Sequence, residues 1–394
     1  ALDVSGAPAH TADAVRDRVI GRVDGTQPGP VVVVIAGIHG NEPGGPIAAR
    51  RVLDSLAAGS LPLTGTFVAL MGNLTAMRLG RRFVDRDLAR LWTTGEVERA
   101  RGTEHPSCVE QAELRGLLQE IDAIEEEFPG RDILLIELHS TSGPGVPFQA
   151  INDTLHDRAI AFASPIPLVL GVEEAIRGSM LDYMEGQGRS VLVIEGGQHE
   201  APETADHLES ALWTVLSGMH AVPAESAVVE AKTERLRKVA DGAPVIAEVV
   251  YRHNITPEDH FEMRPGFRHF QPIRRGELLA EDVRGPVRAP MGGLLLMPKY
   301  QGLGSDGFFI TRPVRRSWLS VSAALRWLRV DRALTHLPGV RRDPTRPRQV
   351  LVNPNIARFL VVPVFHLCGY RRLSPRDGRV VFARRIEAPT EPRR

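Results

Sequence analysis

The chain has 394 residues, too many for one ordinary domain of about 100–200 residues, and long enough to bury a large core. Apolar residues make up 43% and charged residues 24%, close to the soluble-globular average, which excludes disordered and collagen-like classes. The zero net charge hides an asymmetry: residues 312–394 carry 19 Arg, no Lys and 5 acids, a net of +14, against −14 over residues 1–311.

The longest apolar run, Val31–Ile38, is far short of the roughly 18 residues of a membrane span, which argues against a membrane protein. The first residues lack the basic and apolar regions of a signal peptide, and the two cysteines, Cys108 and Cys368, rule out a disulfide framework or a Cys-rich zinc site. A reducing cytoplasm is the expected location. Only Lys232, Lys238 and Lys299 are lysines, so the arginine excess reads as codon bias before it reads as nucleic-acid binding. The basic tail is expected to dock on the acidic body or to form a homo-oligomer interface, rather than to bind a polyanion.

In chain order, Val31–Ile35 is a continuous β-branched run of the kind found in a strand buried on both faces. A Gly- and Pro-punctuated loop follows, and the segment from Pro46 reads as a helix opened by proline. Thr66–Met71 is a second buried strand, Cys108–Phe128 an acidic-faced helix, and Arg131–Ser140 a third strand with a polar end. Ile166–Leu170 and Ser190–Gln198 are a fourth and a fifth strand, closed by a helix over Ala205–His220. This alternation predicts an α/β fold, a mostly parallel or mixed sheet flanked by helices, over residues 1–223. Residues 224–240 read as a connector helix. Residues 241–315 carry short Gly- and Pro-bounded strands and read as a smaller β-rich, barrel-like domain. Residues 316–394 form a basic α+β extension: a helix over Ser317–Arg332 with Leu319, Ala323, Trp327 and Val330 on one side, then strands at Phe359–Phe365 and Arg379–Ala383.

Ligands of α/β sheets bind beyond the carboxyl ends of strands. His39 and Glu42 lie in the loop after the first strand as His-x-x-Glu, and His139 ends the third strand 100 residues after His39. Two His and a carboxylate are the hydrolytic zinc set, with the fourth position left to water. Glu195 closes the apolar strand VLVIE, where a carboxylate is expensive unless it is used or paired. Beside such a metal it would serve as general base and then as acid to the leaving amine.

Four blocks, GIHGNE, the loop from Asn73 through Arg82 to DRDLAR, ELHSTSG and IEGGQ, resemble in order and spacing the succinylglutamate desuccinylase/aspartoacylase family, within the wider zinc carboxypeptidase-like group. The resemblance covers about residues 28–220, and VRAPMGGLLL is similar to the family's lipoyl-like barrel segment. It implies one zinc per chain held by His39, Glu42 and His139, with Glu195 as base and acid. Arg82 would stabilise the oxyanion, Arg90 would grip the amino acid's α-carboxylate, and Asn73 would shape the substrate loop. A planar guanidinium suits those tasks, the competing reading being an ion pair of either Arg with Asp85 or Asp87. The implied activity is hydrolysis of the amide of a small N-acyl amino acid; a zinc carboxypeptidase acting on a peptide or cell-wall fragment is the alternative.

The family's DLNR reads DLAR here, with Ala89 in place of an asparagine. A second substrate arginine has no clean match, Arg177 and Arg189 standing nearest to its place, and Thr141/Ser142 look more aspartoacylase-like. The His199–His207 segment is expected to be solvated, and His253, His260 and His269 to be ordinary packing residues.

Overall fold

The valine run at the start of the chain lies within a longer strand, and the elements on both its faces explain why it must be apolar throughout. The computed structural model describes residues 17–103, 105–356, 361–376 and 378–386. Its strands in chain order are β1 Val19–Asp24, β2 Gln27–Ala36, β3 Thr64–Met71, β4 Ile133–Thr141, β5 Phe148–Ile151, β6 Leu168–Leu170, β7 Ser190–Gln198 and β8 Ile246–Asn254. They continue as β9 Glu262–Met263, β10 Pro272–Ile273, β11 Leu278–Asp282, β12 Gly285–Arg288, β13 Gly293–Leu296 and β14 Asp306–Pro313. Eleven of them form one sheet in the order β1-β3-β2-β4-β7-β5-β6-β8-β14-β13-β10. The centre, β3-β2-β4-β7, is parallel, while β1 and β5 pair antiparallel with β3 and β7. The fold is thus a mixed α/β sheet flanked by helices.

Alternation along β2 sorts the core into two layers. Val32, Val34 and Ala36 face the helices Gly44–Ala57 and Glu203–Gly218, while Val31, Val33 and Ile35 face the helix Val109–Glu127. Burial of both faces removes the polar alternation that marks a half-exposed strand.

Residues 241–315 carry on from this sheet: β8 lies parallel to β6, with Leu168 opposite Ile246, and β14, β13 and β10 extend the same edge. A second sheet, β12-β11-β9, packs over them on a core that includes Leu279, Leu295, Phe308 and Ile310. Ser226 caps the connector helix Ala227–Val239 by accepting from the Val229 amide.

The C-terminal extension holds a four-stranded antiparallel sheet (β15 Val340–Arg342, β16 Gln349–Val352, β17 Tyr370–Arg376, β18 Arg379–Arg384) and short helices. Two expectations fail here. The apolar run 359–365 is not a strand: Val361–Leu367 is helical, with Pro363 in the first turn where its missing N–H costs nothing, and Phe359 and Leu360 lie outside the described residues. A short apolar run reads alike in either conformation until the surroundings decide. The helix Arg316–Trp327 also turns a different side inward, since Trp327 is 81% exposed while Leu319 and Ser322 are buried. The inner side is chosen by charge: Arg326 donates to Asp153 at 2.8 Å, and Asp153 also holds Arg158 at 2.6 Å.

Docking on the acidic body accounts for several of the tail's arginines. Arg371 reaches Asp182 at 2.7 Å and Glu185 at 2.6 Å, and the buried Arg385 reaches Glu173 at 2.5 Å. No helix among the described residues is long and apolar enough to cross a membrane.

A candidate metal centre at the carboxyl ends of the central strands

Three strand ends and two loops converge on one cavity. β2 ends at Ala36, and the turn after it carries His39 and Glu42, both buried. The turn is tight: a Cβ on Gly40 would sit 2.0 Å from the Ala76 carbonyl oxygen, so only glycine fits. His39 Nδ1 lies 2.7 Å from Glu42 Oε1, and His139 Nδ1 from β4 lies 3.3 Å from Glu42 Oε2, which also accepts from the Ser140 amide at 2.8 Å. The ligand atoms of His39, Glu42 and His139 all lie within 4.8 Å of one another.

The register of the sheet sets the rest. His139 stands opposite Glu195 of β7, and Glu195 opposite Phe148 of β5. Glu195 is buried, and its Oε2 has no hydrogen-bond partner among the described residues. Burial pushes its carboxyl up to about 8, against the opposing charge of His139. Burial also works against the charges on Glu42 and Asp87, yet the histidines beside Glu42, and His39 with Arg82 beside Asp87, hold both carboxyls well below the usual range.

The loop between β3 and the helix Val109–Glu127 supplies the arginines. Arg82 donates from Nη2 to Asp87 at 3.0 Å and lies 3.7 Å from Glu42. The competing ion pair with Asp87 is thus present, partly buried, for Arg82, and Asp87 Oδ1 also meets His39 Nε2 at 3.0 Å. One carboxylate fixes both the ring of His39 and the guanidinium of Arg82, as partners of metal-binding histidines do. Arg90 lines the cavity and donates to Asp306 Oδ2 at 2.7 Å. Asn73 does not line it: wholly buried, it caps the helix Leu74–Leu79 by accepting from the Ala76 amide at 2.9 Å.

Several contributors have no signal in the sequence. Glu110 accepts from the amides of Val84, Asp85 and Arg86 and so shapes the arginine loop. This explains the other cluster of ligand-type groups, Asp85–Cys108–Glu110, without a metal. Glu137 sits two residues before His139 on the cavity side, and the loop after β13 brings Lys299 and Gln301 over the cavity mouth. His199 is half-buried rather than solvated, with Nδ1 2.8 Å from Ser140 Oγ and Nε2 3.3 Å from Gln301. Arg177 pairs with Asp182 and Arg189 with Glu125, and neither lines the cavity. His269 is a buried packing residue behind Thr141 and Met297: its Nδ1 accepts from the Met297 amide, so Nε2 carries the proton and faces Thr141 Oγ1 at 2.8 Å.

The donor set fits a divalent cation. Glu42, Glu137 and Glu195 line the cavity with two imidazoles and Arg82, and Asp87 stands behind His39 and Arg82, a concentration of acidic groups that a cation offsets. A His–Glu–His set at the carboxyl ends of parallel strands, next to a buried glutamate with a free oxygen, is the arrangement of a hydrolytic metal site.

Comparison with known proteins narrows the class. Residues 28–221 match the Succinylglutamate desuccinylase/Aspartoacylase catalytic domain, and that segment of the chain is a member of the family. Among curated relatives, the succinylglutamate desuccinylase of Burkholderia thailandensis is 34% identical over 123 residues, 28% of this chain and 35% of that protein. That of Burkholderia cenocepacia is 35% identical over 79 residues, 20% and 23% of the two chains. The matched part is thus well under half the length of either relative. Among solved structures, a succinylglutamate desuccinylase/aspartoacylase from Rhodobacter sphaeroides superposes with a TM-score of 0.54 at 17% identity, over 75% of this chain and 88% of the other. The ectoine utilization protein EutE (DoeB) from Ruegeria pomeroyi gives 0.53 at 19% identity, over 74% and 87%. At these identities the likeness is one of fold.

Proposed function

We propose that the chain is a zinc-dependent amidohydrolase that removes the acyl group from a small N-acyl amino acid. The family supports hydrolysis of such compounds. The observation that carries the reading here is Glu195, a buried carboxylate with an unpaired oxygen, opposite His139 of a converging His39–Glu42–His139 set.

A zinc ion held by His39, Glu42 and His139 would supply Lewis acidity to the scissile carbonyl and a more acidic water. Glu195 takes the proton from the attacking water and later delivers it to the departing amine, so one carboxylate serves both steps. Arg82, held in place by Asp87, donates to the oxyanion; its buried Nε has no partner among the described residues. Asp87 keeps the imidazole of His39 oriented, and Ser140 does the same for Glu42. Arg90 lines the cavity with its guanidinium shared with Asp306, and so borders the place of the substrate's carboxylate without being free to pair with it fully. Asn73 supports the loop from beneath.

The test is amine release by zinc-loaded protein from a panel of N-acetyl and N-succinyl amino acids, with chelator and Glu195→Gln controls. Chelator-sensitive turnover lost in the variant is expected; turnover indifferent to both would overturn the reading.

A further inference from the structure

Below the row His139–Glu195–Phe148, the strand register sets a second row across the same face: Glu137, Val193 and Ala150. The cavity follows this face downward past Glu195, and its far wall is closed by Ile176 and Leu181. Ala89 lies at the same cavity, where the resembling family carries an amide side chain. The space next to the proposed reaction centre is therefore walled by the aliphatic Val193, Ala150, Ile176 and Leu181, with the buried carboxyl of Glu137 at one end of the row.

The charges at the mouth are unevenly committed. Arg82 is paired with Asp87 at 3.0 Å, while Arg90 shares Asp306 with Arg252 at 2.7 and 2.5 Å. Lys299 is 9% exposed, and its Nζ has only the Gly302 carbonyl, 3.5 Å away. No carboxylate lies within ion-pair distance of it among the described residues. Its backbone is fixed: the Lys299 amide donates to the Gly307 carbonyl at 3.0 Å, and Met297, in the left-handed region at φ 52°, donates to His269 at 3.1 Å. Gly304 lies between Arg82 and Lys299 at φ 106°, a backbone conformation that favours glycine. An ammonium held this way, buried and without a counter-ion, is stabilised by an incoming anion.

Resting on the proposed deacylase reading, we infer that the cavity takes an N-acyl amino acid whose only anionic group is its carboxylate, gripped by Lys299, and whose remaining substituent is aliphatic and lies on the Ala150–Val193 wall. A second carboxylate on the substrate would compete with Asp87 or Asp306 for an arginine, with only the Nε donors of Arg82 and Arg90 uncommitted among the described residues, or would enter the aliphatic wall beside Glu137. Either costs more than it returns in a buried site.

The test compares N-acetyl-L-leucine and N-acetyl-L-methionine with N-acetyl-L-aspartate and N-succinyl-L-glutamate as substrates. Calorimetric binding of 4-methylpentanoate and of succinate is measured alongside, on the wild type and on Lys299→Met and Lys299→Arg. Expected are a higher kcat/KM for the two aliphatic substrates and preferential binding of 4-methylpentanoate. In Lys299→Met, KM and Kd rise about ten- to hundredfold with kcat little changed, the loss expected of one hydrogen bond to a charged group, and Lys299→Arg recovers part of it. Equal or better turnover of the dicarboxylates, or affinities indifferent to Lys299→Met in a folded protein, overturn the inference while leaving the deacylase reading intact. If none of the four substrates is cleaved, the deacylase reading fails on this panel, and the binding of 4-methylpentanoate over succinate, with its dependence on Lys299, still decides the site's preference.

Discussion

Arg90 and Asp306 are joined at 2.7 Å across 216 residues of sequence, so the arginine to which the family resemblance gives the substrate's carboxylate already holds a carboxylate of the protein. The partner arrives on the first residue of β14, a strand of the β-rich segment that also supplies the loop over the cavity mouth. Removing the partner should change what the cavity prefers. Asp306→Ala is expected to improve kcat/KM for N-acetyl-L-aspartate relative to N-acetyl-L-leucine by about tenfold, the worth of one freed charged contact. Parallel kinetics on the two substrates check this; an unchanged ratio would place Arg90 out of the substrate's reach.

Glu195→Gln keeps the shape and the buried position but cannot take a proton. Turnover should fall by at least about 10²–10⁴, the usual contribution of general acid–base catalysis, with metal content unchanged by elemental analysis.

Asp87 orients His39 and Arg82 together. Asp87→Ala should weaken metal binding about 10–100-fold, read by competition with a chromogenic chelator. It should lower kcat as well, because Arg82 loses its anchor. Asp85→Ala, on the far side of the loop where Asp85 accepts from the Val109 amide, should leave metal affinity nearly untouched.

Asp153 neutralises two buried arginines, Arg158 of the body and Arg326 of the extension. Asp153→Ala leaves both without that counter-charge and should cost about 3–5 kcal/mol, measured by denaturant unfolding.

His366 ties the extension to Glu174 at 3.0 Å and to Glu248 at 3.4 Å. Burial opposes its charge, but those two carboxylates prevail and push the imidazolium up to about 9. A folded-state value above the unfolded one of about 6.5 means that the contribution is complete below pH 6.5 and fades as pH rises through 9. Stability should therefore decline over that window in the wild type, and His366→Gln should flatten the decline in a pH series of unfolding midpoints.

The strand ends that carry His39, His139 and Glu195 were legible in the sequence because a doubly buried strand is an unbroken apolar run, and a polar residue at its end stands out. The family's blocks named the same positions. Other features had no local signature. Strand β5 is four residues long, and its pairing with β7 depends on a register that only the folded sheet defines. Asn73 lay in the right loop, but its amide is consumed by a helix end. The helix around Trp327 was turned the wrong way because hydrophobic spacing was weighed without Asp153, whose charge fixes the inner side.

By itself, then, the sequence determined the α/β alternation, the set of ligand-type residues and their order along the chain, since these follow from short-range pattern and residue chemistry. The tertiary structure decided which charges remain available. Asp87 and Asp306 take up Arg82 and Arg90, Glu110 shapes the loop between them, and Lys299 comes from more than 200 residues away with no ion-pair partner among the described residues. Charge pairing and desolvation depend on distances of a few ångströms between residues remote in the chain, and only folding sets those distances.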